Sequence, residues 1–247
     1  MSQTRLDKLL VDRKLVSSRV RAEQIIEEFG VLVEGKLITK TGKKFDDNVE
    51  IQLISEEIPW VSKGALKLLA ALEHWDIQPN DKVFIDLGAS TGGFTEVLIS
   101  KKAKKVYCVD VGTNQLHSKL RDLPQIINLE KTHVRELTNK LIPELVDGLV
   151  VDVSFISLDK VIPFVHPFLK EDATVILLIK PQFEVGKGNL NKHGIVTDTK
   201  LYPETIERIK SMCALNQMEF IDFIESPILG GDGNREFLGY FRKMKTT

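Results

Sequence analysis

A glycine-rich segment at residues 85–94, IDLGASTGGF, is the part of the chain best suited to hold a ligand. An apolar run ends at its DLG triplet, small residues follow, and a helix is expected to begin near Gly93. Gly88 allows a sharp turn, while Gly92 and Gly93 allow the backbone to approach a ligand closely. Because ligands bind at the carboxyl ends of parallel strands, the segment is expected to line a crevice there.

The spacing of these glycines separates the possible ligand classes. A dinucleotide fingerprint reads GxGxxG, whereas the glycines here stand at 88, 92 and 93, and the Gly-Lys-Ser/Thr of a Walker loop is missing. The next apolar run ends in Asp110, 22 residues after Gly88. A carboxylate at that distance can accept hydrogen bonds from both ribose hydroxyls. The glycine spacing and Asp110 therefore fit a ligand that contains a nucleoside but no pyrophosphate. The alternative is that the segment is only a strand-to-helix turn and binds no ligand.

Four ionisable residues fall at the mouth of the predicted sheet: Lys67, Asp152, Lys180 and Glu236. Lys67 lies in a helix that precedes the core, and Glu236 comes just before the last predicted strand. Lys180 closes the apolar run TVILLI, which is unusual because lysine is rarely buried unless it is paired. Ion pairs on the surface at strand ends are the alternative interpretation.

Strands and helices alternate over the larger part of the chain that must position these residues. Strands are predicted at 83–88, 105–111, 148–155, 174–180, 220–226 and 237–243, and helices include 66–74, 158–168 and 202–215. The middle strands are nearly continuous apolar runs, typical of parallel strands buried on both faces. The pattern predicts an α/β fold with an open sheet.

The N-terminal residues 1–54 follow a different pattern, which predicts a small α+β domain. Apolar residues recur at helical spacing over 6–10 and 22–26. Ser17 and Ser18 suit the N-cap of the second helix, and Gly30 suits its end. VLVEGKLI then predicts a hairpin that turns at Glu-Gly, and NVEIQLI predicts a further strand.

Charge is distributed unevenly along the chain. The whole sequence has 34 basic and 35 acidic residues, yet residues 1–44 hold ten basic and six acidic ones, a local net charge of +4. Basic and polar groups in this region could contact phosphates across two helices, with Arg5 and Lys8 on one helical face. The candidates are Arg5, Lys8, Ser18, Arg19, Arg21, Lys36 and Lys40. A solvated charged face is the alternative.

The bulk composition is that of a globular protein with room for two domains. The 247 residues are 43% hydrophobic and 28% charged. We place a small domain at 1–54, a linker at 55–62 and a large domain at 63–247.

Cys108 and Cys213 form no CxxC pair, so neither a metal site nor a disulfide is expected. The chain shows no signal peptide and no apolar run near the roughly 20 residues that span a bilayer. We therefore expect a cytoplasmic protein without a membrane partner.

The motifs of both parts resemble known families. RLDKLLVDRKLVSSRVRAEQIIEEFGVLVEGK resembles the αL, or S4-like, RNA-binding domain, although Asn48 stands where an aspartate is usual. DLGASTGGF resembles the cofactor loop of class I methyltransferases, which implies a Rossmann-like, mostly parallel seven-stranded sheet and S-adenosylmethionine as cofactor. The cofactor contacts so implied are Asp86, Gly88, Ala89, Ser90, Thr91, Gly92, Gly93, Phe94, Asp110, Val111 and Asp152.

Within that resemblance, the segment DVSF at 152–155 narrows the methyl acceptor. Methyltransferases that act on base amino groups have two prolines before an aromatic ring, and DVSF has none. Enzymes that methylate a base carbon need a cysteine nucleophile, but Cys108 falls within a predicted strand and Cys213 within a predicted helix. Methylation of an oxygen remains.

The residues Lys67, Asp152, Lys180 and Glu236 resemble the Lys-Asp-Lys-Glu tetrad of FtsJ-type 2′-O-methyltransferases. A ribose hydroxyl is a poor nucleophile until it is deprotonated or strongly polarised. The resemblance implies that Lys180 is the base and that the other three residues position it and the target hydroxyl. A second lysine and partial desolvation favour the neutral amine that a base requires.

The two domains together, with VSKGALKL, VDVGTNQL, IKPQFEVGKG and GNREFL, resemble the TlyA family over essentially the whole chain. The resemblance implies 2′-O-methylation of cytidine, with ribosomal RNA or ribosomal subunits as partners. Family members are often labelled haemolysins, so a membrane-active cytolysin is one alternative, and a non-catalytic RNA-binding or ribosome-assembly factor is another. The segment at 186–198, rich in Gly and Asn, is expected to be a mobile loop beside the site.

Overall fold

The computed structural model describes residues 3–28, 30–53, 60–230 and 233–245. The chain divides into two compact units, Met1–Lys63 and Gly64–Thr247. Of the predicted linker, only residues 60–62 lie within the described ranges. Among the helices described, none has the length and apolar character needed to cross a membrane.

The N-terminal unit is a small α+β domain. Its elements are β1 (Gln3–Arg5), α1 (Leu6–Asp12), α2 (Arg19–Glu28), β2 (Val31–Val33), β3 (Lys36–Ile38), β4 (Lys44–Asp46) and β5 (Ile51–Leu53). β1 pairs with β4, and β2 lies between β3 and β5, with every pair antiparallel. Apolar residues from both helices and from β2 and β3 form one buried core.

Most local predictions for this unit are confirmed. The Ser18 hydroxyl accepts a hydrogen bond from the backbone N–H of Arg21 at 3.2 Å, as an N-cap does. Glu34 and Gly35 both have positive φ, the geometry of a two-residue hairpin turn. One prediction was wrong: Arg5 ends β1 and does not share a helical face with Lys8. The short strands β1 and β4 carry no apolar alternation that would have revealed them.

The C-terminal unit is a sheet of seven strands with flanking helices. Its elements are α3 (Gly64–His74), β6 (Val83–Leu87), α4 (Gly93–Ser100), β7 (Lys105–Val109), α5 (Ser118–Arg121), β8 (Ile126–Leu129), β9 (Val146–Val151), α6 (Ile162–Val165), β10 (Leu169–Ile179), α7 (Leu201–Leu215), β11 (Met218–Glu225) and β12 (Phe237–Lys243). The strand order is β11-β12-β10-β9-β6-β7-β8. The strands from β10 to β8 are parallel, while β12 is antiparallel to both of its neighbours. The predicted fold, a mostly parallel α/β sheet, is confirmed.

Two elements of this unit differ from the sequence prediction. All six predicted strands are present, the one at 237–243 with the predicted bounds and the other five with shifted ends. The strand β8 was not predicted because it is a short edge strand with exposed residues at its centre. The helix predicted at 158–168 is broken into short helical turns around α6. Pro163 and Pro167 account for the break, since proline has no backbone N–H and fits only the first turn of a helix.

The strands β6 and β9 end side by side, and this junction positions the site. Leu87 and Val151 are register partners, and the Asp152 N–H donates to the Leu87 carbonyl at 2.9 Å. Gly88 follows with a φ of +81°, and a Cβ there would lie 2.4 Å from the Asp152 carbonyl oxygen. Only glycine therefore fits between the two strand ends.

Candidate active site

A cavity of about 370 Å³ opens at the carboxyl ends of β6, β7 and β9. Its walls come from the glycine-rich loop, from the segments after β7 and β8, and from the DVSF segment. The lining residues are Leu87, Gly88, Ser90, Val109, Asp110, Val111, Gln115, Thr132, His133, Val134, Asp152, Val153, Ser154, Phe155, Ile156 and Val161. This is the edge at which the sequence predicted a ligand crevice.

Asp110 is held in place at one wall of the cavity by backbone groups. Its carboxylate accepts hydrogen bonds from the Ser90 N–H at 2.8 Å and from the Gly112 N–H at 2.7 Å. A carboxylate oxygen has more than one lone pair, so each can still accept a hydrogen bond from a ligand hydroxyl. The arrangement suits the pair of hydroxyls on a ribose.

Glu130, which was not among the predicted site residues, shapes the neighbouring wall. Its carboxylate accepts hydrogen bonds from the backbone N–H groups of Asn114, Gln115 and Leu116 at 2.8–2.9 Å. The bond from Leu116 is the largest of several that lower the pKa of Glu130 below its usual value. The loop that follows Asp110 is therefore fastened to the end of β8, a strand that the sequence did not reveal.

Asp86 lies behind the cavity in an unusual electrostatic setting. One carboxylate oxygen accepts a hydrogen bond from the Thr95 hydroxyl at 2.6 Å, while Oδ1 is buried without a partner among the described residues. Burial raises the pKa of Asp86 to about 7, and the nearby charges of Asp152 and Asp110 act in the same direction. A positive charge bound in the cavity would relieve this crowding of carboxylates.

These features fit the cofactor that the glycine-rich loop implies. S-adenosylmethionine carries a ribose, an ammonium group and a sulfonium, so it combines two hydroxyls with positive charge. Asp110 offers acceptors for the hydroxyls, and Asp152 brings a carboxylate to the wall of the same cavity. The unpartnered oxygen of Asp86 adds a further acceptor behind that wall.

The predicted cofactor residues divide into two groups in the structure. Those that line the cavity are Gly88, Ser90, Asp110, Val111 and Asp152. Those that do not line it are Asp86, Ala89, Thr91, Gly92, Gly93 and Phe94. Members of the second group shape the loop: a Cβ at Gly92 would lie 2.5 Å from a methyl group of Leu120. Direct contact of these residues with a cofactor stays a prediction.

The first lysine–carboxylate pair of the predicted tetrad is fully formed. Lys67 Nζ in α3 donates to Glu236 Oε2 at 2.6 Å, and both side chains are buried. Glu236 lies just before β12, next to Gly230, where a Cβ would come within 2.5 Å of Glu236 Oε1. The Gly230 backbone therefore packs directly against this carboxylate.

The second pair lies beside the cavity, and its carboxylate, Asp152, lines the cavity wall. Lys180 Nζ is 2.6 Å from Asp152 Oδ1 and donates a directed hydrogen bond to the Ser154 hydroxyl at 2.8 Å. Asp152 Oδ1 is buried and has no hydrogen-bond partner among the described residues. The contact between Lys180 and Asp152 is thus an ion pair, while the ammonium directs its hydrogen bond to Ser154, which was not among the predicted site residues.

Strand register brings the two pairs to the same edge of the sheet. Ile179 in β10 is paired with Phe237 in antiparallel β12. The next position on β10 is Lys180, and the facing position on β12 is Glu236. Asp152 follows β9, the other neighbour of β10. All four predicted catalytic residues therefore lie at the carboxyl edge of β9 and β10.

An exposed aromatic side chain stands at the mouth of the cavity. Phe155 is 90% exposed and has a φ of +63°, a strained conformation for a residue with a bulky side chain. Its ring lies 5.1 Å from that of Phe183, between ring centroids. From the DVSF segment, the sequence analysis used only the missing prolines. The aromatic residue that ends the segment, Phe155, was a second indication of a functional site.

Neither cysteine is placed to serve as a nucleophile. Cys108 lies within β7 and Cys213 within α7, and both are buried and free. Burial raises the pKa of Cys213 to about 12 and raises the pKa of Cys108 as well. The thiolate form that attacks carbon is therefore disfavoured at both positions, as the sequence indicated.

The predicted RNA-binding arginines of the N-terminal unit are organised by one buried carboxylate. Asp7 accepts two hydrogen bonds from Arg5 at 3.0 Å and one from Arg19 at 2.8 Å. Burial alone would raise the pKa of Asp7, but the bonds from both guanidinium groups outweigh it, so the pKa lies well below its usual range. Both arginine side chains remain about half exposed.

The other predicted RNA-binding residues have different surroundings. Lys8, Lys36 and Lys40 are exposed. Arg21 donates to the Trp60 carbonyl at 3.0 Å, and Ser18 is engaged as the N-cap of α2. The three lysines are thus accessible to a ligand, while Arg21 and Ser18 are engaged within the N-terminal unit.

Comparison with known proteins finds a matching family for each of the two units. A family model described as FtsJ-like methyltransferase matches residues 60–243, and one described as S4 domain matches residues 4–51. The 16S/23S rRNA (cytidine-2'-O)-methyltransferase TlyA of Mycobacterium tuberculosis is 37% identical over 97% of this chain and 90% of its own. The 23S rRNA (cytidine-2'-O)-methyltransferase TlyA of Campylobacter jejuni is 35% identical over 94% and 97%. The solved structure of a provisionally named hemolysin from Streptococcus thermophilus is 35% identical, with a TM-score of 0.78 over 100% of this chain and 90% of that one.

The raised pKa of Asp86 predicts a specific dependence of stability on pH. The folded form holds a proton up to a pKa of about 7, against a usual value of 3.8, so folding is favoured most at low pH. This contribution is lost as the pH rises from about 4 to about 7. Asp86→Asn keeps the shape and removes the titration. Between pH 4 and pH 8 the variant should gain about 4 kcal/mol of unfolding free energy relative to wild type.

Urea unfolding at several pH values, without ligand, measures this difference. Asp122→Asn, at an exposed position, is the matched control and should follow the wild-type curve. Parallel pH profiles for wild type and Asp86→Asn would contradict the assignment of a buried, protonated carboxyl.

Proposed function

Because this chain belongs to the FtsJ-like methyltransferase family and carries an S4 domain, we propose that it methylates the ribose 2′-hydroxyl of a cytidine in ribosomal RNA, with S-adenosylmethionine as donor. The observation that carries the proposal is the meeting of two lysine–carboxylate pairs at the edge of a cavity lined by carboxylates. The two relatives named as rRNA cytidine-2'-O-methyltransferases support the choice of acceptor.

The donor half of the site is the cavity at the ends of β6 and β7. S-adenosylmethionine, when bound, supplies a methyl group on a positively charged sulfur. Asp110 holds the ribose hydroxyls of the donor, and the carboxylates of Asp152 and Asp86 favour its positive charge. Val111, exposed on the same wall, offers an apolar surface to the base.

The acceptor half centres on Lys180, which takes the proton of the ribose hydroxyl as the oxygen becomes nucleophilic. To do so its amine must first be neutral. The Ser154 hydroxyl, which accepts from Lys180 at 2.8 Å, keeps the amine directed toward the cavity wall.

The pair of Lys67 and Glu236 positions the pair that contains the base. Lys67 and Glu236 are held together at 2.6 Å in a buried setting, and Glu236 faces the position of Lys180 in the register of β10 and β12. Glu236 neutralises Lys67, so the buried edge does not carry an unpaired charge.

Phe155 supplies a surface for the base of the target nucleotide. Enzymes that modify one nucleotide of a folded RNA gain access to it by turning it out of the stack. An exposed ring at the mouth of the cavity, backed by Phe183, can stack on the base and hold it there. This stacking offsets part of the cost of removing the nucleotide from the RNA.

The N-terminal unit serves to hold the RNA. Arg5 and Arg19, fixed by Asp7, present their outer edges to phosphates, and exposed lysines extend the surface. A ribosomal substrate favours a location in the cytoplasm, with ribosomal RNA or a ribosomal subunit as partner.

Replacing Lys180 tests the assigned base. Lys180→Ala should lower transfer of labelled methyl from S-adenosylmethionine to ribosomal subunits by at least about 100-fold, because general-base catalysis is lost. Affinity for the cofactor, measured by calorimetry, should persist because Lys180 does not line the cavity. Lys101→Ala, at an exposed position directly after α4, is the control and should retain full activity.

The outcomes separate the competing functions. Full activity of Lys180→Ala would reject it as the base. A wild-type protein that binds ribosomal RNA but neither binds nor uses S-adenosylmethionine would instead be a non-catalytic RNA-binding factor.

Replacing Phe155 tests the stacking role. Base–aromatic stacking contributes about 1–3 kcal/mol, so Phe155→Ala should lower kcat/KM for the RNA by about 5- to 150-fold. Phe155→Tyr preserves the ring and should retain most activity. Steady-state assays with ribosomal subunits measure both variants, and equal losses for Ala and Tyr would contradict stacking.

A further inference from the structure

The segment from Gly186 to Val196, here called the arm, is a positively charged surface beside the site. It contains Lys187, Lys192 and His193, all exposed, and no acidic residue. Neither lysine forms an ion pair with any residue that the structure describes. Cations without partners on an exposed segment are suited to contact phosphates.

The tip of the arm is ordered by Asn191. Its side-chain oxygen accepts hydrogen bonds from the backbone N–H groups of His193 at 2.8 Å and of Ile195 at 3.1 Å. Leu190 and Val196 form a β-bridge below the tip. The segment at 186–198, which was predicted to be a mobile loop, contains a compact turn at this tip.

The base of the arm is fastened to the segment that carries Phe155. Glu184 accepts hydrogen bonds from the Ser157 hydroxyl at 2.7 Å and from the Leu158 N–H at 2.8 Å. Arg208 of α7 donates to the same carboxylate. The arm therefore begins at a point tied directly to the mouth of the cavity.

The C-terminal end of the arm is held by Asn234, which is 1% exposed. The Asn234 side chain accepts from the Val196 N–H at 3.1 Å and donates to the Gly194 carbonyl at 3.0 Å. Its backbone carbonyl accepts from the Gly230 N–H at 2.8 Å. Both the oxygen and the nitrogen of this buried amide are hydrogen-bonded to the arm, so the arm is held in a defined position.

Asn234 stands two residues before Glu236, ahead of β12. The Glu236 carbonyl accepts from the Ser226 N–H at 2.9 Å, so the backbone at Glu236 is itself fixed to the residue after β11. The buried amide thus connects the cationic arm to the carboxylate that pairs with Lys67. Displacement of the arm would pull on the backbone that positions Glu236.

We propose that the arm contacts phosphates of the acceptor RNA close to the target nucleotide, and that Asn234 is the positioning residue that couples the arm to Glu236. This inference rests on the proposed function, because it assumes an RNA acceptor. It adds a second positive contact surface in the catalytic unit itself and gives Asn234 a role separate from that of the tetrad.

The phosphate contacts are tested by the double variant Lys187→Gln/Lys192→Gln. Binding of ribosomal subunits, with S-adenosylhomocysteine present, is measured over a range of salt concentrations. Each lost phosphate contact should make the slope of log Kd against log salt shallower by about 1, so the double variant should lose about 2. The control Lys101→Gln/Lys102→Gln removes the same charge from the exposed turn after α4 and should leave the slope unchanged.

The coupling is tested by Asn234→Ala. Misplacement of Glu236 should lower kcat by about 10- to 100-fold. Hydrogen exchange at the Val196 amide, which donates to Asn234, should accelerate, while Kd for S-adenosylmethionine should not change. Asn234→Asp keeps the acceptor for Val196 and loses the donor to Gly194, so its kcat should be intermediate.

The results distinguish this inference from the proposed function. If the wild-type protein neither binds nor methylates ribosomal RNA, the proposed function fails and the inference with it. If wild type is active and the double variant keeps the wild-type salt slope, the arm makes no phosphate contact. If Asn234→Ala accelerates exchange at Val196 yet keeps the wild-type kcat, the amide is structural only and the coupling is wrong.

Discussion

Two buried ammonium groups need carboxylate partners, and this requirement governs the arrangement of the site. An isolated charge in a protein interior costs several kcal/mol. Lys67 and Lys180 each reach a carboxylate oxygen at 2.6 Å, but the partners come from distant parts of the chain. Glu236 arrives at the start of β12 and Asp152 at the end of β9, the two neighbours of β10. The sheet order therefore completes the Lys180–Asp152 pair and places Glu236 beside it, while α3 brings Lys67 to Glu236.

The same electrostatic reasoning connects the donor and acceptor halves. Three carboxyl groups lie in or behind the wall of the cavity, and the buried one, Asp86, keeps its proton up to a pKa of about 7. A cationic donor bound in the cavity would relieve the crowding of these carboxylates. Asp152 belongs to both halves of the site, since it lines the cavity and its carboxylate lies 2.6 Å from Lys180 Nζ.

The sequence was informative wherever a local pattern carried the signal. Lys180 could be placed at a strand end because a continuous apolar run precedes it, and the glycine-rich segment located the cavity. The pairing of each lysine with its carboxylate could not be predicted from spacing. The Lys180–Asp152 pair depends on the register of β10 with β9, and the Lys67–Glu236 pair depends on where α3 lies relative to the start of β12. The exposure of Phe155 follows from a positive φ that the segment DVSF does not specify. The edge strand β8, and with it Glu130, lacked the apolar run that reveals a buried strand.

Alkaline cleavage of the product RNA locates the methyl group directly. Small and large ribosomal subunits from cells that lack this protein are incubated with it and S-adenosylmethionine, and the RNA is then cleaved with alkali. Cleavage requires a free 2′-hydroxyl, so a methylated ribose leaves a gap in the ladder of fragments. If Lys180 activates a ribose hydroxyl, a new gap appears at a cytidine and is absent with Lys180→Ala. Incorporated methyl that leaves the ladder unbroken and is recovered on a base would contradict ribose methylation.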